Sequence, residues 1–293
     1  ITAGITFIPQ FIFTMSYTNL DAHSIAISGL MTLAIVKFVL QPKSNFNKAF
    51  VAITSFGLLP LSKYNFFFLL LPVVMVLVYQ FKNKIINTKD LTLLAAWGIG
   101  SFIVFSSFWY IRNLVLYHDL FGQSFALKVM SRYHELGTPL TLNFGTISTF
   151  ADKGFVNLLL NSFYLAYGQM TKFLDPHIYL VPQVLSFLAA IMLVHYLIEN
   201  RNNKNTKPLI LATIAYFIML LIALSQIIYN SMHFDYQPLG RYMFPMLAPT
   251  AVFLAYAYYK DRRLYFLSLL FASGTFYVYC YGMEYFVRIY TGH

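Results

Sequence analysis

Charge is what this sequence lacks. Only 10% of its 293 residues are Asp, Glu, Lys or Arg, against about 25% in a soluble domain. That is too few to cover a water-facing surface. With 59% hydrophobic and 19% aromatic residues, the composition indicates an integral membrane protein, and the length suits one polytopic unit. Cysteine is nearly absent too. Cys280 alone excludes an internal disulfide and a Cys-based zinc site; it lies in an apolar run and is expected to be a packed thiol. No Walker A sequence, no GxGxxG before a helix, no GxSxG elbow and no HExxH is present, so ATP-driven transport and serine-hydrolase chemistry have no support. The halves show no inverted repeat of the kind many secondary transporters carry. Ile1 opens inside a hydrophobic run without a basic n-region or cleavage site. This is not a signal peptide, and the chain reads as missing its true N-terminus.

Acidic residues are scarcer than basic ones, and the net charge is +10. The Lys and Arg residues stand in short groups between apolar runs, which fits loops held at a cytoplasmic face and not a nucleic-acid partner.

What is abundant is apolar sequence. Spanning a bilayer takes about 20 apolar residues, and nine stretches qualify as candidates: Ile1–Tyr17, Ala22–Gln41, Ala49–Ser62, Tyr64–Phe81, Leu91–Tyr110, Ile178–Ile198, Leu209–Tyr229, Tyr242–Tyr259 and Leu264–Met283. The third is short, and with the fourth it reads as a hairpin in which one helix need not fully cross. The expected fold is an all-α polytopic bundle of about nine spans forming a single domain over residues 1–293. Residues 111–177 form a long loop in that reading. Its segment FVNLLLNSFYLAYGQM, interrupted by Asn157, Asn161, Gly168 and Gln169, reads as an amphipathic or re-entrant helix and not a span.

Alternation of the spans places Lys43 and Lys48; Lys82, Lys84 and Lys89; Arg201, Lys204 and Lys207; and Lys260, Arg262 and Arg263 on one side. By the positive-inside rule that side is cytoplasmic. The other side receives seven of the ten acidic residues, Asp21 among them.

On that outer side, polar residues recur at span ends. Asp21 stands in YTNLDAHS beside Asn19 and His23; Lys63, Tyr64 and Asn65 lie at the tip of LLPLSKYNFF; Arg112 and Asn113 follow the fifth span; Gln237, Arg241 and Tyr242 lie in YQPLGRYMFP. An ionisable residue at a membrane boundary is costly and points to function. Arg offers a planar fork for phosphate oxygens and Lys a point charge, while a carboxylate suits a general base or a metal ligand. Together they suggest a lipid-linked phosphate and a carboxylate that deprotonates an acceptor. Simpler roles are open for each: Lys63 and Arg112 as snorkelling side chains, Asp21 as a helix cap. Pro238 and Pro245 flank Arg241, and irregular backbone at membrane depth is tolerated where it lines a cavity or is buried in protein. His118–Asp119 reads as a loop turn, and His195 as a hydrogen-bonded core histidine.

The ordered set PQFIFTMSYTNLD (Pro9 to Asp21), LLPLSKY (Leu58 to Tyr64), FWYIRNLVLYHDLFG (Phe108 to Gly122), NSFYLAYGQM (Asn161 to Met170) and QPLGRYMFP (Gln237 to Pro245) resembles bacterial membrane proteins of the GT-C superfamily. These are polyprenyl-phosphate-sugar-dependent glycosyltransferases, with protein O-mannosyltransferases and lipid A aminoarabinose transferases as better-known relatives. The resemblance runs along essentially the whole chain. It implies a multi-pass enzyme of the bacterial inner (cytoplasmic) membrane, acting in the cell envelope with its site on the extracytoplasmic side. It also implies a polyprenyl-phosphate-linked sugar as donor, inversion at the anomeric carbon, and a glycan, lipid or protein acceptor.

On this resemblance Asp21 matches the second acidic position of the family, catalytic or a ligand for a divalent metal. Lys63, Arg112 and Arg241 match lipid-phosphate-binding positions, with Asn19, Tyr64, Asn113, Gln237 and Tyr242 beside them. The family's first span and its first outer loop, which carries the principal acidic motif, have no counterpart before Ile1. A lipid-linked-sugar flippase using the same cations without bond breaking, or a membrane scaffold without chemistry, are the alternative expectations.

Overall fold

The computed structural model describes residues 8–15, 20–62, 64–122, 124–125, 128–129, 154–166, 173–202, 207–233, 239–260 and 262–291. Among them the chain is helical without strands. In order come α1 (Pro9–Met15), α2 (Leu20–Leu40), α3 (Asn45–Ala52), α4 (Leu70–Lys82), α5 (Thr88–Ser101), α6 (Ser107–Tyr117), α7 (Phe155–Tyr164), α8 (Pro176–Glu199), α9 (Lys207–His233), α10 (Leu247–Lys260) and α11 (Tyr265–Thr291). Among the described residues five helical stretches are long and apolar enough to cross a membrane: Asp21–Leu40, Thr88–Tyr117, Pro176–Glu199, Thr213–Ser231 and Tyr265–Tyr285. The protein is an all-helical, multi-pass membrane protein.

The remaining four of the nine candidate spans do not reach that standard among the described residues. Of Ile1–Tyr17 residues 8–15 are described, and they hold only the seven-residue α1. Ala49–Ser62 runs through α3 into a π-helical turn, Ile53–Leu58, and a 3-10 turn, Leu59–Leu61. Tyr64–Phe81 opens as a 3-10 turn, Tyr64–Leu69, before α4. Tyr242–Tyr259 is divided between a 3-10 turn, Gly240–Met246, and α10. Hydropathy counts apolar side chains and is blind to these backbone changes. Pro60 and Pro245, which carry no N–H, lie within the altered turns.

Contacts divide the chain into two compact units, one of Ile1–Ala22, Gly145–Ile227 and Gln237–His293, the other of His23–Phe144 and Ile228–Tyr236. In the second unit α5 starts with a capping box: Asn87 Oδ1 accepts from Asp90 N, and Asp90 Oδ2 accepts from Asn87 N, both at 3.0 Å. Two otherwise orphaned helix-start donors are thereby satisfied. Lys48 Nζ, almost fully buried, donates to Asp90 Oδ1 at 2.5 Å and ties α3 to the same helix start. From Asp90 to Arg112 the helix rises roughly 33 Å at about 1.5 Å per residue, close to the ~30 Å hydrocarbon thickness.

Midway along this span, Phe102–Ser106 widens into a π turn facing the π turn at Ile53–Leu58. A π turn displaces carbonyls from the i→i+4 ladder. One of them, Gly57 O, accepts from Ser106 Oγ at 2.5 Å, and Tyr110 Oη donates to Pro60 O at 2.7 Å. Gly57 permits this approach, because a Cβ there would lie 2.8 Å from Ser101 Cβ.

In the first unit, Leu193, Phe253, Leu264 and Leu267 form one core cluster, and Tyr164, Leu165, Leu174, Tyr179 and Val278 another. Tyr179 is buried, and its phenol is satisfied on both sides. It donates to Leu165 O at 2.7 Å and accepts from Leu174 N at 3.0 Å, so one side chain holds both residues. Phe155–Tyr164 is ten residues long, about 15 Å at 1.5 Å per residue, half of what a crossing requires.

Two sequence expectations are corrected. Cys280 is exposed on α11, not packed. His195 is not a core histidine: its side chain is 71% exposed on α8, with Glu199 at 3.6 Å one turn on. A helix facing lipid turns apolar residues outward as readily as inward, so an apolar run does not mark burial.

Candidate functional site

Asp21 sits in the first turn of α2, where the positive end of the helix dipole favours a carboxylate. It is not alone there. Arg241 Nε lies 3.3 Å from Asp21 Oδ2, although the residues stand far apart in sequence. Both belong to the first unit. The Asp21 side chain is 7% exposed and that of Arg241 24%, so the carboxylate is the more buried of the two. Nε is buried and makes no aligned hydrogen bond. The contact is ionic and is not the parallel two-bond fork that Arg–carboxylate pairs often adopt. The guanidinium carbon stands 5.7 Å from the ring centre of Tyr242, within cation–π range.

The backbone carrying Arg241 is held from α7. Gly240 N donates to Ser162 Oγ at 2.8 Å. A Cβ on Gly240 would fall 2.2 Å from Phe163 N and 2.5 Å from Leu159 O, so only glycine lets the turn sit this deep. Phe244, fully buried, meets Phe163 edge-on at 5.5 Å and Phe11 of α1 edge-on at 5.9 Å. Gln10 of α1, also buried, accepts from Ala166 N through Oε1 at 3.0 Å, while its Nε2 has no hydrogen-bond partner. Thus three sequence-distant pieces, α1, α7 and the Gly240–Met246 turn, pack around the base of Arg241.

Arg112 and Asn113 belong to the second unit. Arg112 Nη1 donates to Asn113 Oδ1 at 3.4 Å, and its guanidinium carbon lies 5.6 Å from the Trp109 ring centre and 5.8 Å from that of Tyr117. Asn113, buried, donates through Nδ2 to Leu120 O. His118 and Asp119 form the expected turn: His118 takes a left-handed conformation at φ 53°, and the Asp119 carboxylate accepts from Phe121 N and Ser124 N. Asn19, Lys63 and Gln237 lie outside the described residues. Tyr64 begins a 3-10 turn, and its side chain is outside them too.

Ser162, Gly240 and Gln10 were not among the residues the sequence singled out as a site. The PQFIFTMSYTNLD, NSFYLAYGQM and QPLGRYMFP stretches contain all three, but nothing in one chain pairs a serine with a glycine so remote from it.

Among the described residues no three His, Cys, Asp or Glu side chains come together. A set of three such ligands around Asp21 is therefore not supplied by the described residues. Compared with protein-family models, curated proteins and solved structures, the chain matches none.

Proposed function

We propose that this protein is a membrane glycosyltransferase of GT-C type that transfers a sugar from a polyprenyl-phosphate carrier to an acceptor on the extracytoplasmic side. The observation that supports the reading is the Asp21–Arg241 pair: a buried carboxylate and a more accessible guanidinium 3.3 Å apart, with Arg241 on a turn that starts at a glycine admitting no side chain.

In the proposed reaction an acceptor hydroxyl attacks the anomeric carbon as the bond from that carbon to the phosphate oxygen breaks. The hydroxyl proton passes to the Asp21 carboxylate. The bonding electrons leave with the polyprenyl phosphate, whose added negative charge Arg241 stabilises as it develops. Attack opposite the leaving phosphate inverts the anomeric centre. The resemblance assigns lipid-phosphate binding to Lys63 and Arg112 as well.

The test is transfer by the full-length protein in proteoliposomes, supplied with a polyprenyl-phosphate sugar radiolabelled in the sugar and with envelope acceptors. Label moving to an acceptor with release of polyprenyl phosphate supports the reading. Binding of the donor, or its movement across the bilayer, with every sugar–phosphate bond intact contradicts it and indicates a flippase.

A further inference from the structure

We infer that Asp21 and an external phosphate group compete for Arg241, so that the ion pair is a resting contact which anion binding opens. This deepens the proposed function and rests on that reading for its placement in catalysis; the exchange itself does not need sugar transfer.

Four observations carry it. The cation is the more accessible partner, 24% exposed against 7% for Asp21, so an arriving anion meets the guanidinium before the carboxylate. The contact at 3.3 Å lacks an aligned hydrogen bond at Nε. A phosphate that offers the planar fork two parallel hydrogen bonds makes the better partner. The main chain below Arg241 is fixed by the Gly240–Ser162 hydrogen bond and by the absence of room for a Cβ, so exchange requires only a side-chain rotation. Tyr242 flanks the guanidinium, its ring centre 5.7 Å from the guanidinium carbon.

The chemical consequence is an order of events. While Arg241 holds Asp21, the carboxylate is engaged and no lipid phosphate is bound. When a phosphate mono- or diester takes Arg241, the carboxylate loses that contact and turns to the acceptor hydroxyl. Proton acceptance is thereby tied to occupancy by the donor, which discourages unproductive chemistry in the empty site.

Competition has a counter-intuitive signature: removing the carboxylate should tighten anion binding. The full-length protein in neutral detergent is titrated with a short-chain polyprenyl phosphate, with phosphatidylglycerol and with inorganic phosphate. Wild type is compared with Asp21→Asn and Arg241→Gln. Asp21→Asn is expected to bind roughly tenfold more tightly, within the range usual for coupled sites, and Arg241→Gln at least about tenfold more weakly. Tightening with polyprenyl phosphate but not phosphatidylglycerol names the carrier lipid as the source of the phosphate. Tightening with phosphatidylglycerol alone names the bilayer headgroup, and tightening extending to inorganic phosphate names the phosphate group itself. Unchanged or weaker binding by a folded Asp21→Asn overturns the inference. Should that variant misfold, the wild-type infrared difference spectrum decides: ligand addition must shift a carboxylate stretch, and a flat spectrum at saturating ligand overturns it. Tightening by Asp21→Asn without sugar transfer from any donor would leave the exchange standing and remove the transferase.

Discussion

Gly240 lies so close to Phe163 that a single added carbon would stand 2.2 Å from the Phe163 amide nitrogen. The obstruction is backbone, which cannot rotate away, and Leu159 O closes the space at 2.5 Å. Gly240→Ala is therefore expected to destabilise the protein by about 1–3 kcal/mol or more, the usual cost of overpacking, and to displace Arg241 from Asp21. Thermal unfolding in detergent measures the first. A change below roughly 0.5 kcal/mol would mean that the turn does not sit against α7.

The hydrogen bond at the same junction gives a separate test. Ser162→Ala removes the acceptor for the buried Gly240 N–H, and an unsatisfied buried donor costs about 1–3 kcal/mol. The substitution adds no volume, so a loss of stability traces to the missing bond. Anion affinity should fall with it, because the turn that presents Arg241 loosens.

Ion pairs elsewhere differ by burial. Lys48 and Asp90 have side chains 5% and 20% exposed, whereas Arg288 and Glu284 stand at 68% and 53%. Lys48→Met leaves Asp90 without its cation beside a helix start and should cost about 2–3 kcal/mol, a discount on the fully buried case for the exposure of Asp90. Arg288→Ala should cost less than about 1 kcal/mol. Equal effects on the unfolding midpoint would contradict these positions.

Cys280 reports on the membrane directly, being the single cysteine. It is exposed on α11 yet falls within the apolar stretch Tyr265–Tyr285. In sealed vesicles a charged maleimide is expected to leave it unmodified, and detergent solubilisation followed by denaturation should restore labelling. With Cys280→Ala as background, cysteines at Lys84 and Asp119 flank the crossing Thr88–Tyr117 and should label from opposite sides. Labelling of both from one side rules that span out.

The sequence made the long crossings legible because apolar length alone carries that information. Leu91–Tyr110 was found inside the longer Thr88–Tyr117, and the extra turn at its start follows from Asn87 and Asp90, a capping pair three residues apart. Where the backbone departs from α geometry, as at Ile53–Leu58 and Gly240–Met246, composition stays apolar and hydropathy registers nothing. Side-chain direction was equally hidden, which is why Cys280 and His195 were misplaced. Asp21 and Arg241 were each conspicuous as charges within apolar surroundings, but their meeting depends on Ser162 taking the Gly240 amide, a contact that no periodicity encodes.

The most direct measurement is the rate of sugar transfer by the full-length protein across four forms: wild type, Asp21→Asn, Arg241→Gln and the double variant. If the two residues act as one unit, each single substitution should lower the rate by at least about a hundredfold, and the double should be little worse than either, as for groups that work together. Single variants that transfer sugar at the wild-type rate while remaining folded would contradict the assignment of this ion pair to the reaction.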